Sequence, residues 1–309
     1  MYLCETTREI LSWYEGDSPG VKRNIASFLT QGKLANTGKL LIYPVDQGFE
    51  HGPVRSFSTN PEAFDPHYHY SLAIEAGLSG YAAPLGMLEA GADTFAGAIP
   101  TILKMNSGNT MTRLGSTPLE SDQAITASVN DALRLGCSAI GFTIYPGSDK
   151  TYDLFEEIQS LSGEARSRGL AVVIWSYPRG NISKAGETAL DVVAYATHMA
   201  ALLGAHIIKV KLPSDTVEYD ASKREYSAYK TDFSDLAERV AHIRQCAFNG
   251  RRLLIFSGGE AKDRESVLND ARAIKKGGGH GSIMGRNAFQ RPRAEALQLL
   301  SDMIDIYRS

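Results

Sequence analysis

The sequence predicts a single closed (β/α)₈ barrel, the TIM-barrel architecture, preceded by a helical extension. Three observations predict it. The chain has 309 residues, the size of one large barrel or two modest domains. Eight short apolar runs, most of them rich in Val, Ile and Leu, recur along it. Between them lie stretches with helical spacing, and the clearest of these end at a glycine a few residues before the next run. A helix stop followed by a tight loop needs a glycine there. A doubly wound open sheet is the structural alternative. It carries a Gly-x-Gly-x-x-Gly turn after its first strand, whereas Asp46-Gln47-Gly48 stands in that position.

The runs are Leu40–Val45, Gly80–Pro84, Thr101–Met105, Ala139–Ile144, Ala171–Trp175, His206–Lys211, Leu253–Ser257 and Gly281–Met284. Most are near-continuous hydrophobics, as in parallel strands buried on both faces. The helical stretches are Asp122–Gly136, Asp153–Gly169, Thr188–Gly204, Asp235–Gly250 and Arg264–Gly277. The connection from Pro84 to Thr101 has room only for a short or irregular helix. Residues 1–38 contain two amphipathic segments, Thr6–Tyr14 and Val21–Gln31. They are expected to cap the bottom of the barrel formed by residues 39–309, or to meet a partner subunit. The charged and aromatic segment Ser214–Phe233 reads as an insertion after the sixth strand.

Composition excludes several classes. Hydrophobic residues make up 43% and charged residues 22%, with a net charge of -3. That is ordinary globular composition, and it offers no field for nucleic acid or an anionic membrane. No apolar run approaches the ~20 residues of a membrane span. The N-terminus lacks a signal-peptide core, so the expected location is the cytoplasm. Cys4, Cys137 and Cys246 are odd in number and far apart, which fits a reducing compartment without a disulfide framework. Cys137 reads as core. His67 and His69 have i, i+2 spacing, which does not share a helix face; both are expected at the surface. No set of Cys, His and carboxylates has zinc spacing. We expect no metal, no organic cofactor and a homo-oligomer.

Barrel active sites sit at the C-terminal ends of the strands, and polar groups crowd there. Asp46, Gln47, Glu50 and His51 follow the first strand. Lys104 and Asn106 end the third, and Tyr145 ends the fourth. Trp175, Tyr177 and Arg179 share a face of the fifth, as do Lys209 and Lys211 of the sixth. Two lysines in an apolar strand are costly to bury. Either one pairs with a carboxylate such as Asp46, or one is an amine nucleophile made neutral by desolvation and a neighbouring cation such as Lys211. Lys104 and Asn106 either bind substrate or fill the barrel with hydrogen bonds. Ser257-Gly258-Gly259 and Gly285-Arg286-Asn287 follow the last two strands. Glycine-rich turns there bind phosphate in many barrels; otherwise the glycines only make tight turns.

These motifs resemble the archaeal-type class I fructose-1,6-bisphosphate aldolases, a family that also has bacterial members. The carriers are VDQGFEHGP (Val45–Pro53), ILKMN (Ile102–Asn106), GFTIYPGS (Gly141–Ser148), VIWSYPRG (Val173–Gly180), GAHIIKVK (Gly204–Lys211), FSGGEAKD (Phe256–Asp263) and MGRNAFQR (Met284–Arg291). The resemblance implies a metal-independent lyase in which Lys209 forms an imine with a phosphorylated sugar. It makes Tyr177 the proton donor and acceptor, the group that removes the C4 hydroxyl proton as the C3–C4 bond breaks. Asp46 assists proton transfers around the imine. Gln47, His51, Lys104, Trp175, Arg179, Lys211, Ser257, Gly258, Gly259, Gly285 and Arg286 are implied substrate contacts. The chain departs from the pattern at Gln47, where many archaeal members have histidine, and at Arg55, where some carry an acidic residue. Two alternatives stay open: an imine-forming or acyl-transfer enzyme of the same scaffold acting on another phosphosugar, and a barrel that only binds a sugar phosphate.

Overall fold

The structure, a computed structural model, describes residues 3–111, 121–229, 231–259 and 261–309. Lys230 of the insertion and Glu260 of the glycine-rich motif lie outside the described residues. Eight strands form the barrel: β1 (Leu40–Pro44), β2 (Gly80–Pro84), β3 (Thr101–Lys104), β4 (Ala139–Ile144), β5 (Ala171–Ser176), β6 (Ile207–Lys211), β7 (Leu253–Ser257) and β8 (Gly281–Ile283). Each pairs with its neighbours in chain order, and β8 returns to β1 to close the ring. The closing pair is parallel, with Leu40 opposite Gly281. Side chains alternate faces along each strand. Leu40, Ile42, Ile102, Val173, Ile207 and Ile255 fill the barrel. Leu41, Tyr43, Leu103, Phe142, Ile174, Ile208 and Phe256 pack outward beneath the helices.

The helices that carry or surround the site are α3 (Gln47–His51), α7 (Val129–Arg134), α8 (Thr151–Ser167), α9 (Leu190–Leu202), α11 (Leu236–Cys246), α12 (Arg264–Lys276) and α13 (Arg286–Phe289). Asp235 and Asp263 cap α11 and α12 by accepting backbone N–H groups. The periodic stretch from Asp122 is helical only over α7. Ala124–Ile125 instead pair antiparallel with Asn106–Ser107, and a capping box at Ser128 starts the helix afresh. His69 lies on α5 (Pro66–Ala76) and is fully buried, contrary to its expected surface position. Its ring bridges the Tyr43 hydroxyl and the Ala63 carbonyl at 2.9 and 2.7 Å, so the i, i+2 argument against a metal pair does not make it a surface residue. His67 is exposed, and Cys137 is buried. The insertion after β6 carries α10 (Asp220–Ser227). It is tied to the loop after β5 through Glu218, whose carboxylate accepts from the Ser183 N–H and hydroxyl, both at 2.9 Å.

Helices α1 (Glu5–Ser12) and α2 (Pro19–Leu29) close the end of the barrel away from the site. Ile10, Val21, Ile25, Phe28 and Leu29 join the apolar interior of the strands. Polar contacts fix them there. Asn24 donates to the Gly169 carbonyl at 2.8 Å. The buried Tyr14 hydroxyl donates to the His206 carbonyl at 2.7 Å and accepts from the Leu253 N–H at 3.2 Å. His206 Nδ1 accepts from the Val172 N–H at 2.8 Å, which leaves Nε2 to donate to Asp17 at 3.1 Å. Arg166 closes the set at 2.9 Å from Asp17. Tyr14→Phe should therefore cost about 1–3 kcal/mol, the usual penalty for stranding a buried hydrogen-bonding group. Urea unfolding should show the loss while turnover stays unchanged, because the mouth is at the other end.

Candidate active site

At the C-terminal ends of the strands lies a cavity of about 720 Å³, within the usual range for a small-molecule site. Its wall includes Asp46, Gln47 and His51 after β1; Tyr177 and Arg179 after β5; Lys209 and Lys211 of β6; Ser257, Gly258 and Gly259 after β7; and Gly285 and Arg286 after β8. The remaining expected contacts, Trp175 and Lys104, lie beneath the floor. Trp175 is 1% exposed and faces the barrel interior. Gly141 on β4 makes room for its ring: a Cβ there would stand 2.0 Å from the indole.

Trp175 and Lys209 are register partners on β5 and β6. The Lys209 ammonium lies 5.2 Å from the Trp175 ring centre and 5.3 Å from that of Tyr177. Lys209 is 4% exposed. Burial lowers its pKa from 10.5 to about 8, opposed by Asp46 and Glu50 and aided by Arg286. The neighbouring cation expected to help was Lys211, but Lys211 turns away to Glu187, 3.1 Å from its carboxylate. Desolvation is thus the main source of a neutral amine here.

Of the two roles open to it, Lys104 shows hydrogen bonding within the barrel. It is 2% exposed, and its ammonium donates to the Asn106 carbonyl and, at 3.0 Å each, to Asn106 Oδ1 and Gln123 Oε1. Asn106 in turn donates to the Thr143 carbonyl at 2.8 Å, and Gln123 donates to the Tyr145 hydroxyl at 2.7 Å. The lysine pins the hairpin to the ends of β3 and β4. A buried ammonium needs such acceptors, and this set supplies three.

Two parts of the mouth are electrically distinct. On one side, Arg179 and Lys184 reach Glu187 at 2.5 and 3.1 Å, beside Lys211. Burial raises Glu187, but Arg179, Lys211 and Lys184 outweigh it and hold the carboxyl below its ordinary value. Three cations around one carboxylate leave a net positive patch. Near β8, Arg286 donates to the Gly259 carbonyl at 3.0 Å, which holds its guanidinium over the glycine turn. Gly259 has φ +68, and a Cβ on Gly258 would meet the Met284 sulfur at 2.7 Å. Packing alone therefore demands glycine here, whatever the turn binds.

The other side is acidic. Asp46 is 8% exposed, and its Oδ1 has no partner among the described residues, nor have Gln47 Oε1 and Trp175 Nε1. Unpaired buried polar atoms are rare in folded proteins, and those of Asp46 and Gln47 line the cavity. Tyr177 forms a side-chain hydrogen bond with Ser257; burial, then the charge of Asp46, push its phenol well above the ordinary value. Glu50 also lines the cavity. Burial first, then Asp46, raise it to about 7 against Lys104, Lys209 and Arg179. Glu50, Lys184 and Glu187 carry no role in the motif resemblance. For Glu50 a signal existed, since it lies four residues after Asp46 and thus on the same side of a helix begun there. Glu187 stands in a loop with no periodicity to announce it.

Among the described residues, no three His, Cys, Asp or Glu side chains gather to hold a metal ion, and no helix is long and apolar enough to cross a membrane. Residues 40–291 match the DeoC/LacD family aldolase. The chain is 36% identical over 300 residues to a probable fructose-bisphosphate aldolase class 1 of Chlamydia pneumoniae, covering 93% of this chain and 84% of the relative. It is 34% identical over 262 residues to the fructose-bisphosphate aldolase class 1 of Thermoproteus tenax, covering 84% and 86%. A solved archaeal fructose-1,6-bisphosphate aldolase, with its catalytic lysine covalently bound to the carbinolamine intermediate of the substrate, superposes with a TM-score of 0.74 at 31% identity, covering 92% of this chain and 98% of that one. The closed barrel, the ordered motifs and these likenesses together show that the chain belongs to the DeoC/LacD aldolase family.

Proposed function

We propose that the protein is a class I fructose-bisphosphate aldolase that cleaves fructose 1,6-bisphosphate to dihydroxyacetone phosphate and glyceraldehyde 3-phosphate through an imine on Lys209. The observation that carries this reading is the position of Lys209: a desolvated amine, near pKa 8, facing Trp175 and Tyr177 at the base of a polar cavity. The neutral amine attacks the ketone, and the resulting iminium is an electron sink for the bond that breaks. Arg286 with the Ser257–Gly259 turn, and Arg179 with Lys211, are the two cationic ends that hold the phosphates and align the carbons. Asp46 accepts the C4 hydroxyl proton as the C3–C4 bond breaks. Tyr177 has a different task from the one the motif resemblance implies. Burial and Asp46 keep its phenol protonated, and it lies beside Lys209, so we assign it to donate the proton that lets the carbinolamine hydroxyl leave.

The same reading makes the enzyme a cytoplasmic homo-oligomer. All three cysteines are free, which suits a reducing compartment. Sedimentation of the purified chain checks the assembly. For the chemistry, borohydride with fructose 1,6-bisphosphate should add a covalent mass at Lys209, with both triose phosphates as products. A label on Lys211 or Lys104 would move the assignment. No label with any ketose phosphate would leave a sugar-phosphate-binding barrel. Activity should survive exhaustive EDTA treatment; a loss restored by zinc would overturn the metal-independent mechanism.

A further inference from the structure

We propose that Glu50 is a further catalytic residue of this site, the acid that returns a proton to the enamine carbon after the carbon–carbon bond has broken. The inference rests on the imine reading above and adds a step to it. Cleavage leaves an enamine on Lys209, and turnover stops until its carbon is protonated. Tyr177 is assigned to the carbinolamine hydroxyl, and Asp46 has just taken a proton from the substrate. A third group that holds a proton at this stage lines the same cavity.

Asp46 is the N-cap of α3, and the Glu50 amide donates to its carbonyl at 3.4 Å. One helical turn thus separates the two residues, and both line the same cavity as Lys209 and Tyr177. Asp46 is 8% exposed, while the Glu50 side chain keeps 29% of its surface open, so a ligand in the cavity can reach it. The charged groups facing Glu50 come from four elements: Asp46 and His51 beside it, Lys104 on β3, Arg179 after β5 and Lys209 on β6. The charge of Asp46 beside it opposes ionisation of Glu50. Burial and the charge of Asp46 hold Glu50 near pKa 7, the value at which a group gives and regains a proton most readily near neutral pH.

The step balances. Before cleavage the Tyr177 phenolate has regained a proton from solvent, and the pair holds one proton, on Glu50. The C3–C4 electron pair moves into the iminium and forms the enamine, while the C4 hydroxyl proton passes to Asp46. Glyceraldehyde 3-phosphate leaves. Glu50 gives its proton to the enamine carbon, which restores the iminium. Asp46 then passes its proton to Glu50, and water releases dihydroxyacetone phosphate from Lys209.

The test follows the proton. Incubated with dihydroxyacetone phosphate in D₂O, the wild-type enzyme should exchange a carbon-bound hydrogen for deuterium by NMR, at a rate that rises as pH passes through about 7, since the Glu50 carboxylate must first take the proton from the iminium. E50Q should still give the borohydride-trapped imine, within a few-fold of wild type, which also shows that it folds. Its exchange should fall by ~10²–10⁴-fold, the range for an acid–base group, and lose that pH dependence. With fructose 1,6-bisphosphate it should release glyceraldehyde 3-phosphate in a burst and accumulate an enamine that hexacyanoferrate(III) oxidises. E50D should recover part of the exchange. Exchange at the wild-type rate in E50Q, or equal loss of trapping and exchange, overturns the proposal. If the wild type itself traps no imine, the imine reading fails first and takes this step with it.

Discussion

Lys209→Met is expected to leave no imine, no covalent mass and a turnover reduced by more than ~10⁴-fold, beyond the ~10²–10⁴ that a proton-transfer group contributes. The loss is large because, in the proposed mechanism, the amine is the bond-forming atom. It does not merely orient or polarise a group. The same substitution is expected to stabilise the fold. The Lys209 ammonium is buried at 4% exposure, and its pKa falls from 10.5 to about 8. A depression of that size disfavours the charged form by roughly 3 kcal/mol. Between about pH 8 and 10.5 the unfolded chain holds this proton and the folded chain does not, so stability rises with pH across that window and the penalty is fully present below it. At neutral pH, Met of similar length removes the penalty and fills the same space. Urea midpoints should therefore rise in a protein with no activity. A variant that loses activity and stability together would place Lys209 in the structural framework and not in the chemistry. In the wild type, imine formation should quicken as pH rises toward 8, since only the neutral amine attacks.

Tyr177→Phe is expected to lower turnover by ~10²–10⁴-fold with little change in KM. The ring stays beside Lys209 and keeps its packing; only the hydroxyl and its bond to Ser257 are lost. Because the phenol is assigned to carbinolamine dehydration, the mutant should still bind substrate covalently, but as an adduct that borohydride does not reduce. Intact mass under mild conditions should show the sugar attached, and the reduced, stable adduct should be slow to appear. Normal trapping with slow cleavage would instead return Tyr177 to the C4 proton and displace Asp46 from that task. Near-normal turnover with a lower unfolding midpoint would leave the hydroxyl with a packing role only.

Much of this protein is legible from the one-dimensional pattern, for a physical reason. Parallel strands buried on both faces must be continuous hydrophobics, and each helix must stop before the next strand begins. Those rules place all eight strands to within a residue or two, and strand alternation puts Lys209 and Lys211 on the inner face. The rule that barrel chemistry sits at strand C-terminal ends then collects Asp46, Tyr177, Arg179, Ser257 and Arg286 around one cavity. Where local rules compete with long-range pairing they fail. Asp122–Ile125 has helical spacing, yet Ala124–Ile125 serve as a strand because Asn106–Ser107 offer a partner.

What the sequence determined by itself is the barrel, its direction and the set of polar groups at its mouth, since these follow from periodicities of two and 3.6 residues along the chain. Only the tertiary structure decided what surrounds each group there. Lys104 and Lys209 are both lysines on inward strand faces, both buried and both lowered to about 8. Lys104 meets three acceptors within hydrogen-bonding reach; Lys209 faces two aromatic rings and the cavity. Lys211 belongs to Glu187 from another loop, and Glu50 gains its proton affinity from Asp46 and the walls around it. A charge's behaviour depends on what surrounds it within a few ångströms in space, and those neighbours come from strands and loops that only closure of the barrel brings together.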